Sequence, residues 1–168
     1  TGALVWQYPA SGQPALVSSF VSSPSSEGIA SSAYVTTDPP RGDMVIFAAP
    51  DPSLCARLGS GRLFALRASD GAEIWKSPEL ARLSGANRGA TSELHEQFGF
   101  SSPLVFNGRV YGGIANRHPI QRGRMVAVNL SDGQPAPGFS FQATNTRGGG
   151  IGSSPAGGLE GGGVYVTT

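Results

Sequence analysis

Residues 61–75 read GRLFALRASDGAEIW, and residues 123–133 read GRMVAVNLSDG, the same phrase 62 positions further on. In neither copy do the apolar residues return every third or fourth place, as a helix requires. They form short runs that end in Ser-Asp-Gly, which predicts strand, turn and strand. Asp and Gly accept the positive φ of a tight turn, so Ser69-Asp70-Gly71 and Ser131-Asp132-Gly133 are read as hairpin turns, and Asn107-Gly108 as a third. A phrase repeated within one chain points to a repeated supersecondary unit.

Working outward, runs rich in Val, Ile, Phe, Tyr and Thr bounded by Gly, Pro, Asn, Asp or Ser predict nine strands. They are Ala33–Thr37, Met44–Ala48, Leu63–Ala68, Glu73–Lys76, Leu104–Phe106, Arg109–Gly113, Met125–Leu130, Phe139–Gln142 and Val164–Thr167. Helical turns are expected only at Glu79–Leu83 and Ser92–Phe98, inside an insertion. The fold class is therefore all-β and antiparallel.

Three segments share an opening: Ile29-Ala30-Ser31-Ser32-Ala33, Gly99-Phe100-Ser101-Ser102-Pro103 and Ile151-Gly152-Ser153-Ser154-Pro155. Each leads into an apolar strand. A further echo joins Gly2 and Trp6 to Gly71 and Trp75, four residues apart in both places. The unit is four strands in the order Ser-Ser-Pro strand, Val-Tyr strand, Arg-x-x-Ala strand, Trp strand. Successive starts lie 70 and then 52 residues apart, against about 40 to 45 for a minimal blade, so the extra length is assigned to insertions at 51–60, 77–98 and 117–122.

Four-stranded units with short connections describe a β-propeller. The expected division is a last strand in 1–9, a blade in 28–77, an insertion in 78–98, a blade in 99–143 and the first strands of another in 150–168. About two complete blades and parts of two more make a segment of a propeller, since a ring takes about four to eight. The rest of the propeller is thus the first expected partner.

Composition excludes other classes. Charged residues are only 14% of the chain, 12 basic against 11 acidic with no run of one sign, so nucleic acid is not an expected partner. No stretch approaches the roughly 18 apolar residues of a membrane span. The opening TGALVWQY lacks the charged start and apolar centre of a signal peptide. A single cysteine, Cys55, makes no intrachain disulfide and has no neighbouring ligand for zinc.

With these residues in view, the chain resembles the repeats of the quinoprotein, or pyrroloquinoline quinone (PQQ)-dependent dehydrogenase-like, β-propellers. Their tryptophan-docking phrase, Ala-x-(Asp)-x-x-(Thr/Asp)-Gly-x-x-x-Trp, is matched by Ala65 to Trp75 and in part by Gly2 and Trp6. The copy at Ala127 keeps Gly133 and sets Phe139 in place of Trp, after Pro135-Ala136-Pro137-Gly138. The Ser-Ser-Pro openings and the ending Gly163–Thr168 are similar to the alcohol and polyvinyl-alcohol dehydrogenase branches. The resemblance implies that Ala lets the next blade pack closely, that Gly turns strand three into strand four, and that Trp6, Trp75 and Phe139 are flat apolar surfaces between blades.

It also implies a cofactor and an address. PQQ is a planar trianion that needs flat platforms and cationic or backbone donors, with calcium polarising its quinone and a carboxylate taking the alcohol proton. The family's calcium-binding Glu precedes an Arg-Gly, matched by Arg122-Gly123, but its position falls on or beside His118. The Trp under PQQ corresponds to Gly152, and the vicinal cysteine pair is absent. The candidate cofactor-binding residues are Asn116, Arg117 and His118 in one loop and Arg147 in Thr146–Gly150, where Gly-rich backbone beside Arg suits an anion. No metal ligands or catalytic residue are assigned.

Two further clusters are set aside. Glu93, His95 and Glu96 lack the i, i+4 spacing and third ligand of a zinc helix, and Gly85–Gly89 follows no strand, as a phosphate loop must. The expectation is part of a periplasmic or extracellular propeller, a PQQ-dependent dehydrogenase acting on a small alcohol or sugar. The alternatives are a non-catalytic scaffold that binds a protein or glycan, and a purely structural module.

Overall fold

The computed structural model describes residues 2–14, 16, 18–19, 26–27, 31–51, 60–80, 101–114, 123–139, 141–142, 150–158 and 162–167. Among them there are twelve strands and no helix. A short hairpin pairs β1 (Ser18–Ser19) with β2 (Ser26–Glu27). The first full sheet is an antiparallel meander of β3 (Tyr34–Asp38), β4 (Gly42–Asp51), β5 (Ser60–Arg67) and β6 (Glu73–Lys76). The second repeats it with β7 (Leu104–Phe106), β8 (Arg109–Ile114), β9 (Arg124–Asn129) and β10 (Phe141–Gln142). A last antiparallel pair joins β11 (Ala156–Gly157) to β12 (Val164–Tyr165).

Strand positions follow the apolar runs closely, and the departures have physical causes. β4 runs on to Asp51 because it keeps its ladder with β5 up to the Asp51–Ser60 pair, with the Asp51 carboxylate on the Arg62 guanidinium at 2.7 Å. Phe139, expected to open a strand, lies before β10: Pro137-Gly138 turn the chain, Gly138 at φ +70° and Phe139 N–H donating to Ala136 C=O. β1 and β2 were not expected; two-residue strands carry too little periodicity to show in sequence, and β11 falls where the third Ser-Ser-Pro opening put a strand. The expected helical turns fall largely on residues 81–100, outside the described residues.

The repeated phrase has one conformation in both places. Gly71 N–H donates to Arg67 C=O and Arg67 N–H to Ala72 C=O; in the second copy Gly133 donates to Asn129 and Asn129 to Gln134. Asp70 Oδ1 accepts from Ala72 N–H at 3.0 Å, and Asp132 Oδ1 from Gln134 N–H at 2.9 Å. Gly71 and Gly133 take φ of +72° and +68°, the left-handed region that Gly enters without strain. Asn107 and Gly108, at +49° and +70°, make the hairpin turn expected between β7 and β8.

The sheets lie face on face. Residues paired across strands share a face, so Tyr34, Ile46, Ala65 and Trp75 look one way, and Val35 and Val45 the other. The first face, with Met44, Ala48 and Leu63, buries against Val110, Ile114, Val126 and Val128 of the second sheet. The far face of the second sheet, with Tyr111, Met125 and Ala127, packs against Ile151, Val164 and Val166. On the other side, Phe47, Ala49, Phe64 and Leu66 receive Trp6, Tyr8 and Leu16. The order of layers is N-terminal segment, first sheet, second sheet, last pair.

One joint is built twice. Trp6 Nε1–H donates to Ala68 C=O at 2.8 Å, and Trp75 Nε1–H to Leu130 C=O at 2.9 Å, each in the following sheet. The ring then lies on that sheet's turn: a Cβ on Gly71 would stand 2.7 Å from Trp6 Cε3, and one on Gly133 2.5 Å from Trp75 Cε3. Gly133→Ala is therefore expected to lose about 1–2 kcal/mol to left-handed strain and about 1–3 kcal/mol more to displacement of the indole. Gly108→Ala, with φ +70° and no atom within 4 Å of its Cβ, should show only the first loss. Urea denaturation compares them; equal losses would contradict the joint.

Candidate functional site

The first strands of the three units, β3, β7 and β11, each at an edge of its sheet, stand side by side, β7 touching both of the others. The Ser-Ser openings join them. Ser32 N–H donates to Ser102 Oγ at 2.9 Å, and Ser102 N–H to Ser154 Oγ at 3.0 Å, a ladder that steps once per sheet. The preceding serine bonds within its own unit in the second and third pairs, whereas the buried Ser31 Oγ has no hydrogen-bond partner among the described residues. Buried Ser101 Oγ accepts from Gly113 N–H at 3.0 Å, and Ser153 Oγ from Thr167 N–H at 3.0 Å. Gly113 is glycine because Ile151 presses on it, with a Cβ placed there only 2.5 Å from Ile151 Cγ2.

The candidates themselves divide. Asn116, Arg117, His118 and Arg147 lie outside the described residues, as do Arg122, Cys55, the Glu93–Glu96 cluster and Gly85–Gly89. Gly152, aligned with the family's Trp under PQQ, is exposed at the start of the last unit, and a Cβ there meets nothing within 4 Å. Trp75 is only 7% exposed, with both its ring and its N–H engaged between sheets. Phe139 packs edge-on to Tyr111, ring centres 5.5 Å apart. Trp6 and Trp75 serve joints between layers, while the ring contact of Phe139 is with Tyr111 of its own unit.

Sequence reasoning missed the Gly-Arg that opens each copy of the phrase. Arg62 Nε donates to Asp51 Oδ2 and its Nη1 to Ser77 C=O, tying β4, β5 and the strand-four exit together. Arg124, its counterpart, reaches across to Leu80 C=O behind the first sheet. The signal was the 62-residue interval itself, which covers Arg62 and Arg124 as well as the glycines.

A second concave place lies where the N-terminal segment crosses the first sheet. A groove of about 720 Å³ is bordered by Tyr8, Pro14, Asp51, Phe64, Asp70 and Lys76. Tyr8 sits over Phe64 and Phe47 with ring centres 5.9 and 6.1 Å away, and Phe47 stacks on Phe64 at 5.3 Å. Its hydroxyl donates to Glu73 Oε2 at 2.7 Å. Burial, then the bond to Glu73 and the charges of Glu73 and Asp51, push the phenol well above its ordinary value. Across the groove, Ala72 N–H and the Arg67 guanidinium hold the Asp70 carboxyl below its ordinary value.

The residues do not assemble a PQQ or calcium site among those described. Gly152 offers no face to a planar ring, and no group of three or more His, Cys, Asp and Glu side chains comes together among the described residues. No helix there is long and apolar enough to cross a membrane. Neither a protein-family model nor a curated protein matches the chain.

The Tyr8 geometry has an alkaline consequence. A phenol pKa raised on folding contributes stability that is complete below its ordinary 10.0 and is lost as pH rises through the folded value. A tyrosinate absorbance titration should show a step above the ordinary phenol range. Tyr8→Phe should remove that late step and Glu73→Gln should bring it earlier; absence of any step above the ordinary phenol range would contradict the contact.

Proposed function

We propose that the stacked sheets are consecutive blades of an extracytoplasmic β-propeller of the PQQ-like kind, and that the chain's part in it is to carry an axial mouth that takes a small alcohol or sugar. The observation that supports this is the joint made twice: Trp6 on Gly71 and Trp75 on Gly133, each indole bonded into the following sheet. A joint that passes from one sheet to the next in one sense propagates, which is how blades are added around an axis. The first strands β3, β7 and β11 then face the axis, and the sequence puts Asn116–His118 and Arg147 in connections between strands, the kind that lines an axial mouth.

In this reading the protein is a quinoprotein dehydrogenase, periplasmic or extracellular, with PQQ and calcium as cofactors. Arg117 and Arg147 are the residues of this chain offered to the cofactor's carboxylates. Adding PQQ and calcium to the whole protein, followed by quinone absorbance and alcohol-dependent dye reduction, tests it. Saturable PQQ binding that weakens about tenfold or more in Arg117→Ala or Arg147→Ala, an energy of about 1.4 kcal/mol, is the expected result. Absence of both PQQ binding and dye reduction would sink the enzyme.

A second reading is favoured by Gly152, whose open surroundings would have admitted a large ring that the sequence does not supply. On it the propeller is a non-catalytic scaffold that holds a protein or glycan at the same mouth. Pull-down or glycan-array binding that falls with the Arg117 and Arg147 substitutions, with no PQQ bound, would support it.

A further inference from the structure

The two full sheets differ where the first strand turns into the second. Met44 pairs with Arg67 as Arg109 pairs with Asn129, and Ala68 N–H donates to Asp43 C=O as Leu130 N–H does to Gly108 C=O, so Asp43 and Gly108 hold the same place in the repeat. Met44 also pairs with Thr36, and Arg109 with Phe106. Between those pairs the second sheet turns in two residues, 107–108, whereas the first uses seven, 37–43. Its ladder runs on through Thr37–Asp43 and Asp38–Gly42, which lifts the tip about 7 Å beyond the level at which the second sheet turns.

This tip is open to solvent and holds nothing in the stack together. Pro39, Pro40, Arg41, Gly42 and Asp43 are all exposed. The openness belongs to the position in the unit, because Asn107 and Gly108 are exposed too although the second sheet is covered on both faces. Among the described residues the side-chain bonds of Thr37, Asp38, Arg41 and Asp43 stay inside the hairpin, and a Cβ on Gly42 would meet nothing within 4 Å.

The tip is also stiff. Pro39 and Pro40 fix two φ angles, Arg41 N–H donates to Asp38 C=O at 2.8 Å, Thr37 Oγ1 donates to Asp43 Oδ1 at 2.6 Å, and Asp38 pairs with the Arg41 guanidinium. Gly42, at φ +78°, turns the chain between Arg41 and Asp43. Asp38 takes only Nη1 of Arg41 and Thr37 only Oδ1 of Asp43, so the remaining guanidinium N–H groups and Oδ2 carry no side-chain bond among the described residues. The hairpin thus presents a fork of donors and a carboxylate oxygen two residues apart, in a conformation that needs little further ordering to bind. A planar guanidinium is matched by a carboxylate, and a carboxylate oxygen by a hard divalent cation with a coordination place free. We propose that Arg41-Gly42-Asp43 is a protein-recognition site, taken by a receptor that holds a divalent cation for Asp43 beside a carboxylate for Arg41. Its chemistry is separate from that of a cofactor at the mouth, so a chain that binds no PQQ still tests it.

Integrin ectodomains that read Arg-Gly-Asp carry that pair of groups and serve as the probe. Biolayer interferometry of the whole chain against a panel of them in magnesium should show saturable binding that EDTA abolishes and a free Arg-Gly-Asp peptide displaces. Asp43→Asn keeps an oxygen for Thr37 and removes the charge, while Arg41→Lys keeps the charge and removes the fork. Each should weaken binding about thirtyfold or more, with urea midpoints unchanged because both side chains are exposed. Replacing 37–43 by Asn-Gly, the turn of the second sheet, should remove binding and leave the sheets folded by circular dichroism. No binding to any ectodomain, binding that survives EDTA, or binding indifferent to Asp43→Asn would overturn the site.

Discussion

A flat indole resting on a glycine that has no Cβ is the contact on which the stack depends. Trp75 can approach the second sheet only because position 133 is glycine, and position 133 is glycine for two reasons at once: the turn needs φ +68° and the ring needs the space. The indole N–H then finds Leu130 C=O, so the ring is fixed in orientation as well as depth. Around that contact Ala65 and Ala48 let the sheets come together, and Ile46, Leu63, Val110 and Val128 fill the interval. Trp6 repeats the arrangement one layer earlier on Gly71.

The inner edge is held differently. There the sheets are joined by polar bonds, Ser32 to Ser102 and Ser102 to Ser154, with Ile151 N–H donating to Ile114 C=O at 3.1 Å. An apolar joint on the outer strands and a hydrogen-bonded ladder on the inner ones have complementary effects. The first supplies burial; the second fixes register, since a serine displaced by one residue points to the other face.

How much of this was legible follows from what each residue needs. Asp70-Gly71 and Asp132-Gly133 announce turns by local chemistry alone, and β6 and β7 fall where the apolar runs put them. The role of Trp75 as a plane between layers was also readable, through a resemblance. The serine ladder was not: the Ser-Ser openings were visible as a repeat, but their bonds join residues 70 and 52 apart through adjacency in space. Arg62 and Arg124 were hidden for a related reason, one serving its own sheet through Asp51 and the other crossing to Leu80. Of the site, Asn116, Arg117, His118 and Arg147 rest on sequence alone, and Gly152 is the position whose surroundings the structure adds.

The stack requires each Trp to lie flat over the turn glycine of the following sheet. Proton NMR reads this directly, because an aromatic ring shifts protons held against its face. The α-protons of Gly71 and Gly133 should both be moved strongly upfield, and Trp75→Leu should return those of Gly133 alone to ordinary values. Ordinary shifts at both glycines in the unaltered chain would contradict the stack.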